Sequence, residues 1–332
     1  MSKVLMICHV SAKIGLGHLS RVLAVSKAIE VYGDIQQKIM VIGDSSYEHE
    51  ELRLLDVEYV LDLRPVPEIV RAAAVKFEPN VVVFDLYNQV ISADLGDLFT
   101  WLKERNSSLV SIDSLVEYCD LLDVIWIPSF FFDSSNYSYC NAQLKSGWDS
   151  FLIQRRLPIP SWQVGERVLV LTGGGDISGL GETLPKKLDY LLPDHTEIHW
   201  VQGPYAKAPV LLEEPRLKWL IHKSPSQLDQ LIVQSNYVFT VFGVSFFEVI
   251  QYGIPSVVFS PYGDKDNDEL DALSKEGVAT VGKNCEFAIN DLLELMNNDE
   301  LAKEYSINAL KKMSINGAQS LSKEIYSLIE SK

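Results

Sequence analysis

The chain has 332 residues, too long for one small domain and of a length that two Rossmann-sized domains fill. With 47% hydrophobic and 22% charged residues, it has the makeup of a globular protein with two buried cores. A formal net charge of −16 argues against nucleic-acid partners and anionic lipid surfaces, although backbone amides and a few local cations can still hold a small anionic ligand.

Val4 to His9, which opens on the apolar run Val4 to Ile7, predicts a buried strand. Only Lys3 precedes it, and Val4 to Ile7 is too short for the apolar region of a signal peptide; no segment approaches a membrane span. A cytoplasmic protein with no stable membrane insertion is the expectation. A loop through Gly15 and Gly17 follows, then a helix through Leu19, Val22, Leu23, Val25 and Ala28. Strands are predicted at Lys38 to Ile42, Asn80 to Phe84 and Leu109 to Ile112, with a helix around Phe99 to Lys103. Continuous rather than alternating Val/Ile runs imply strands covered on both faces, hence parallel sheets flanked by helices.

The rhythm stops at Arg155 to Trp162, where two prolines mark the best linker. It restarts with strands at Arg167 to Thr172, Glu197 to Gln202, Tyr237 to Val241 and Ser256 to Ser260. A helix from Ser245 to Tyr252 is closed by Gly253 with Pro255 beyond it, and the chain from Asp291 reads as mostly helical. Two domains are therefore expected, 1–157 and 163–332, the last helix being free to cross back. Cys8, Cys119, Cys140 and Cys285 are scattered without a C-x-x-C pair, so reduced thiols are expected, with neither a disulfide framework nor a zinc site.

Five constellations carry possible chemistry, each with a plain structural alternative. Gly15-Leu-Gly-His-Leu-Ser-Arg21 lacks the last glycine of the dinucleotide fingerprint, Ser20 standing there. Its glycines let the backbone approach a ligand, Arg21 is a candidate contact, and His18 is placed to act as a general base. Alternatively His18 caps the helix and Arg21 faces solvent. Thr172-Gly173-Gly174-Gly175-Asp176 suits a backbone that hugs a ligand at a strand's carboxyl end, or else Asp176 simply caps the next helix. In Gly243-Val244-Ser245-Phe-Phe-Glu248, helix-opening amides can bind a diphosphate and Glu248 a ribose, while Ser245 and Glu248 also have capping-box spacing. The acidic loop from Asp264 fails as a calcium loop, having Glu269 and Lys275 where glycine and an acid are needed. It offers Asn267 or Asp268 to sugar hydroxyls, or is a solvated helix start. Last, Asp85 and Tyr87 end one strand and Asp113 follows the next, positioned to tune a histidine or to cap the strand.

In this order the motifs resemble GT-B nucleotide-sugar enzymes. The likeness runs from about Val4 to Gly282 and is nearest to spore-coat polysaccharide biosynthesis type proteins and the UDP-sugar hydrolase of pseudaminic acid synthesis. The peptidoglycan UDP-GlcNAc transferase is more distant, mainly through the C-terminal half. The resemblance implies two Rossmann-like domains whose parallel sheets face across a cleft, the first carrying the acceptor and the base, the second the nucleotide-sugar. It implies His18 as the catalytic residue, Tyr87 as its helper in the hydrolase, Gly243 to Glu248 as the holder of UDP, and Asn267 at the donor sugar. No metal or other cofactor is implied, since helix N-termini neutralise the leaving diphosphate. The chain departs from the pattern at Val244, where a second glycine is usual, and at Ser114, where the hydrolase carries aspartate. The expected activity is a glycosyltransferase of cell-surface polysaccharide assembly acting on a sugar acceptor. The alternatives are a nucleotide-sugar hydrolase with water as acceptor and a non-catalytic sugar-nucleotide binder.

Overall fold

The computed structural model describes residues 1–11, 14–43, 50–61, 65–87 and 93–332, the side chains of 50 and 51 excepted. The chain divides into two units, one of Met1–Gln154 with Ile315–Lys332, the other of Arg155–Ser314.

In the first unit, seven strands form one sheet in the order β3-β2-β1-β4-β5-β6-β7. They are β1 (Ser2–His9), β2 (Ile35–Ile42), β3 (Val57–Val60), β4 (Val81–Asp85), β5 (Ser108–Ile112), β6 (Val124–Trp126) and β7 (Gln143–Lys145). Every pairing is parallel. The helices are α1 (Gly17–Ile29), α2 (Val66–Phe77) and α3 (Gly96–Glu104). The side chains of the central strands are shared between two cores. Leu5, Ile7, Val82 and Phe84 pack with α2 and α3 on one face, while Val4, Met6, Val81 and Val83 pack with α1 on the other. This two-sided burial is what the unbroken Val/Ile runs require. The chain's last helix, Gly317–Glu330, closes the second face through Ala318, Leu321 and Ile325, and Tyr326 stacks on Tyr32 at 4.4 Å. The strand order reverses direction at β1 and β4, the switch point where open parallel sheets collect ligands.

The second unit repeats the plan with six strands ordered β10-β9-β8-β11-β12-β13. These are β8 (Arg167–Leu171), β9 (Glu197–Gln202), β10 (Lys218–Lys223), β11 (Tyr237–Val241), β12 (Ser256–Phe259) and β13 (Thr280–Val281), all parallel. Six helices accompany them: α4 (Leu180–Leu191), α5 (Leu228–Val233), α6 (Val244–Ile250), α7 (Asn267–Glu276), α8 (Cys285–Met296) and α9 (Asp299–Lys312); the C-terminal helix of the first unit is then α10. The switch point falls between β8 and β11. Gly253, at φ 67°, ends the turn after α6 with Leu310 beneath it, so a side chain there would be both strained and crowded. The proline-rich stretch is tied down rather than loose. The amides of Arg156 and Leu157 donate to the Tyr252 hydroxyl at 3.1 and 3.3 Å, and the Trp162 indole donates to the Asn236 carbonyl at 2.7 Å.

The expectation of four reduced thiols is overturned for one pair. Cys119 and Cys140 form a disulfide with Cα atoms 5.3 Å apart, while Cys8 and Cys285 remain free. The chain entering β6 and the chain entering β7 run side by side, the Ala142 amide donating to the Cys119 carbonyl at 3.1 Å, which brings the two sulfurs together. A separation of 21 residues gives no sequence motif for this, and the thiols no longer argue for a reducing compartment. Among the described residues, no helix is long and apolar enough to cross a membrane.

Candidate active site

A cluster of ionisable side chains lies at the carboxyl edge of the first sheet. β1 ends at His9, and the chain turns through Gly15, whose φ of 83° suits glycine and whose amide donates to the Ser11 carbonyl at 2.8 Å. α1 begins at Gly17, so His18 and Arg21 stand one turn apart on the same face. The N-cap of α1 is Leu16, with no side-chain cap, so His18 does not serve as the cap. Its Nδ1 lies 2.6 Å from Oδ1 of Asp85, the last residue of β4 and fully buried. Arg21 clasps the same carboxylate with both prongs of its fork, Nε to Oδ2 at 2.9 Å and Nη2 to Oδ1 at 2.7 Å, and sends Nη1 to Asp113 Oδ2 at 2.6 Å. Arg21 is therefore turned inward to protein carboxylates rather than outward to solvent.

The electrostatics follow from this packing. Burial alone would raise the Asp85 pKa, but the Arg21 charge and the hydrogen bonds from His18 and Arg21 outweigh it and hold the carboxyl below its ordinary range. Burial works against the Arg21 charge too, yet Asp85 and Asp113 together push its pKa up. An ionised Asp85 accepts the Nδ1 proton of His18, which fixes the tautomer of the neutral ring and leaves Nε2 with its lone pair. The His18 side chain keeps 13% of its surface, enough for its outer edge to meet a reactant. Beside it, His9 accepts the Tyr87 amide proton at Nδ1 (3.0 Å), and its pKa is lowered to about 4, by burial first and then by the proximity of His18. The Tyr87 ring meets the His18 ring edge-on, centroids 6.1 Å apart. This is a positioned imidazole–carboxylate pair able to take a proton from a hydroxyl.

The carboxyl edge of the second sheet is built differently. Gly173, at φ 84°, and Gly174 lie against Gly203, where a β-carbon would fall 2.6 and 2.4 Å from their carbonyl oxygens. The Tyr205 amide donates to the Gly174 carbonyl at 3.0 Å, so a neighbouring backbone pins this loop. Gly174 itself has open space where a side chain would project, and Gly175 follows it half-buried. Asp176 holds the start of α4, Oδ1 accepting from Leu180 N at 3.0 Å and Oδ2 from Gly181 N at 2.8 Å. Both its oxygens are thus committed to amides, and burial raises its pKa against their pull.

At the end of β11, the N-cap of α6 is Gly243, at φ 152° and with open space around it. Ser245 is not the N-cap, so the capping-box arrangement with Glu248 does not form. Val244 is the first helical residue, so its side chain brings no backbone strain where the resembling family carries glycine. The Glu248 carboxyl is pushed up to about 7, by burial first and then by the charge of Asp229, with Arg156 and a bond from Ser245 opposing. Asp229 is itself paired, accepting from Arg156 Nη1 at 2.7 Å and from the buried Tyr252 hydroxyl. Asn267 and Asp268 are exposed at the start of α7, and Asn267 Nδ2 donates to Asp264 at 3.0 Å.

Topology thus brings His18, Arg21, Asp85, Tyr87 and Asp113 together, and it sets Gly173 to Asp176, Gly243 to Glu248 and Asn267 with Asp268 at three loop ends of the second sheet. Sequence reasoning missed His9 and the Asp229–Arg156–Tyr252 network. It also did not foresee that Arg21 would spend its fork on Asp85 and Asp113. The three-residue spacing of His18 and Arg21 was the available signal, but the partner carboxylates depend on strand order.

No protein-family model matches the chain, and no curated protein matches it. Solved structures do. Acinetobacter baumannii MurG is 15% identical at a TM-score of 0.66, with 98% of this chain and 100% of that one covered. The spinosyn rhamnosyltransferase SpnG is 14% identical at 0.66, with both chains covered in full at 100%. UDP-GlcNAc 2-epimerase from Neisseria meningitidis, bound to UDP-GlcNAc, is 12% identical at 0.57, with 99% of this chain and 100% of that one covered. At such identities the likeness is one of fold, and the chain has the two Rossmann-like parallel sheets of the GT-B nucleotide-sugar enzymes.

Proposed function

We propose that this protein transfers a sugar from a nucleotide-sugar donor, UDP-linked in the first instance, to a hydroxyl acceptor in cell-surface polysaccharide or glycoconjugate synthesis, without a metal cofactor. The observation that carries the reading is the His18 Nδ1–Asp85 Oδ1 contact of 2.6 Å, with Arg21 gripping the far side of the carboxylate. His18 Nε2 takes the acceptor's proton. The acceptor oxygen bonds to the anomeric carbon as the bond to the diphosphate breaks, and the nucleoside diphosphate leaves with the electron pair. Asp85 stabilises the imidazolium so formed.

In this reading the first unit supplies the base and receives the acceptor, and the second holds the donor. The amides at Gly243, Val244 and Ser245 meet the diphosphate, Glu248 the ribose, the Gly173 to Asp176 loop lies along the donor, and Asn267 with Asp268 meets its sugar. Support comes from the resemblance to the spore-coat and pseudaminic-pathway enzymes and from neighbours that include a rhamnosyltransferase and an epimerase solved with UDP-GlcNAc. A second reading, nucleotide-sugar hydrolysis with water as acceptor, is favoured by one observation, the edge of the Tyr87 ring against His18.

Thermal shift with UDP, GDP, CDP and TDP identifies the nucleotide, because a ligand of the native state raises its stability. Silence toward all four would sink both readings. Incubation with UDP-sugars alone then separates them: steady release of UDP and free sugar without acceptor replaces the transferase by the hydrolase, and release only with an added glycan establishes transfer.

A further inference from the structure

We infer that His199 and His222 form a two-imidazole site for a divalent transition-metal ion, Cu²⁺ above all, which ties the edge strand of the second sheet to its neighbour. The site lies wholly within the second unit, whose residues 155–314 are all described, and the ion takes no part in the sugar transfer proposed above. β10 is the outermost strand and pairs with β9 in a register that sets Leu220 against His199 and His222 against Val201. Side chains two apart on a strand leave from the same face, so the two imidazoles project side by side from adjacent strands. Their rings lie nearly parallel, 16° apart with centroids at 5.1 Å, and His199 Nδ1 faces His222 Nε2 at 3.0 Å.

The separation of the two nitrogens selects the ion. Imidazole nitrogens bind such metals at about 2.0–2.1 Å, so two of them at a right angle on one ion stand about 2.9 Å apart, and at the tetrahedral angle about 3.4 Å. The observed 3.0 Å fits the right angle, which belongs to the square or tetragonal geometry of Cu²⁺ and Ni²⁺ rather than to tetrahedral Zn²⁺. Behind the pair stands a carboxylate. Glu197 Oε1 lies 2.6 Å from His199 Nε2, the ring nitrogen turned away from His222, and Glu197 Oε2 accepts from Lys218 Nζ at 2.6 Å. Such a carboxylate fixes the tautomer of a ligating imidazole and raises its basicity. With Nε2–H given to Glu197, His199 Nδ1 carries a lone pair and, in the metal-free protein, accepts His222 Nε2–H. Binding requires only that this proton move to His222 Nδ1; both facing nitrogens then hold lone pairs, and no net proton is lost. His199 is buried at 6% exposure and His222 half-buried, so packing fixes one ligand while the other meets solvent, where the ion enters. Among the described residues no group of three His, Cys, Asp or Glu could hold a metal, so water completes the coordination of this one.

The test is a Cu²⁺ titration of the full-length protein by calorimetry, with electron paramagnetic resonance of the loaded samples, for the wild type, His199→Gln, His222→Gln and Glu197→Gln. The wild type should take up a Cu²⁺ ion that neither histidine variant retains, and its spectrum should carry hyperfine splitting from two nitrogens. Glu197→Gln should keep that spectrum and bind about 10–100-fold more weakly, the usual loss when a carboxylate behind a ligand is removed. Zn²⁺ should bind the wild type more weakly than Cu²⁺ does. A histidine pair that is only hydrogen-bonded predicts equal Cu²⁺ uptake in the wild type and His222→Gln, and that result overturns the inference. So does a spectrum in which the ion lost from His222→Gln shows fewer than two nitrogens. Should His199→Gln fail to fold, His222→Gln, altered at a half-buried edge position, still decides. A protein inert toward every nucleotide-sugar would defeat the function proposed above, and the copper titration would still decide the present inference.

Discussion

At the carboxyl edge of the first sheet, ionisable side chains bind one another: His18 to Asp85, Asp85 to Arg21, Arg21 to Asp113. At the same edge of the second sheet, the groups that bind are backbone. Asp176 is held by two amides, the Gly173–Gly174 loop by Gly203 and Tyr205, and Glu248 stands with its carboxyl pKa pushed up to about 7 by burial. Both edges follow a strand–glycine loop–helix plan, and both carry an aspartate near a strand's end. Asp85 is bonded to groups that titrate and Asp176 to groups that do not, so one is equipped to assist proton transfer and the other to fix a helix. A shared plan therefore does not mean shared chemistry.

The contrast can be broken first at His18. Replacement by alanine is expected to reduce turnover by roughly 10²–10⁴-fold, the usual worth of a positioned base. A loss of less than tenfold would remove the imidazole from the reaction. Next is Asp85→Asn, which leaves the Arg21 charge buried with half its partner gone. Denaturant unfolding should then show a loss of about 3–5 kcal/mol. If instead the variant is as stable as the wild type, the carboxylate is not the keystone of the cluster.

Glu248 gives an effect of intermediate size with a definite pH sense. Its folded pKa, about 7, lies above the ordinary 4.5, so the folded state retains the proton after the unfolded chain has lost it. Stability from this group is thus present below pH 4.5 and declines as pH rises toward about 7. Glu248→Gln should stabilise the free protein at pH 8 by about 1–3 kcal/mol and by little at pH 4. Equal effects at both pH values would show that burial does not govern this carboxyl. The smallest change is Asp176→Ala, expected to lower stability by about 1 kcal/mol through loss of its bonds to the α4 amides. A far larger effect on nucleotide affinity than on stability would return Asp176 to ligand binding.

Much of the architecture was legible in the sequence because parallel strands buried on both faces leave unbroken apolar runs. β1 and β4 were read that way, and β9 and β11 were placed to the residue. β6, β7 and β13 are only two or three residues long, too short to register a period, and β10 has charged ends and half-exposed side chains. The motif residues His18, Asp85 and Tyr87 were legible as types of group at strand ends. Their bonds were not, since His18 and Asp85 are 67 residues apart and meet only because β4 lies beside β1. The Cys119–Cys140 bond was invisible for the same reason, as was the exhaustion of Arg21 by two carboxylates.

The most direct measurement is UDP binding by calorimetry alongside UDP-sugar turnover for the wild type, His18→Ala and Glu248→Gln. If proton chemistry belongs to the first sheet and nucleotide recognition to the second, His18→Ala should bind UDP within about twofold of wild type while losing turnover, and Glu248→Gln should lose affinity by about tenfold, the worth of one hydrogen bond to a charged group. UDP affinity that vanishes with His18 and survives at Glu248 would contradict that division.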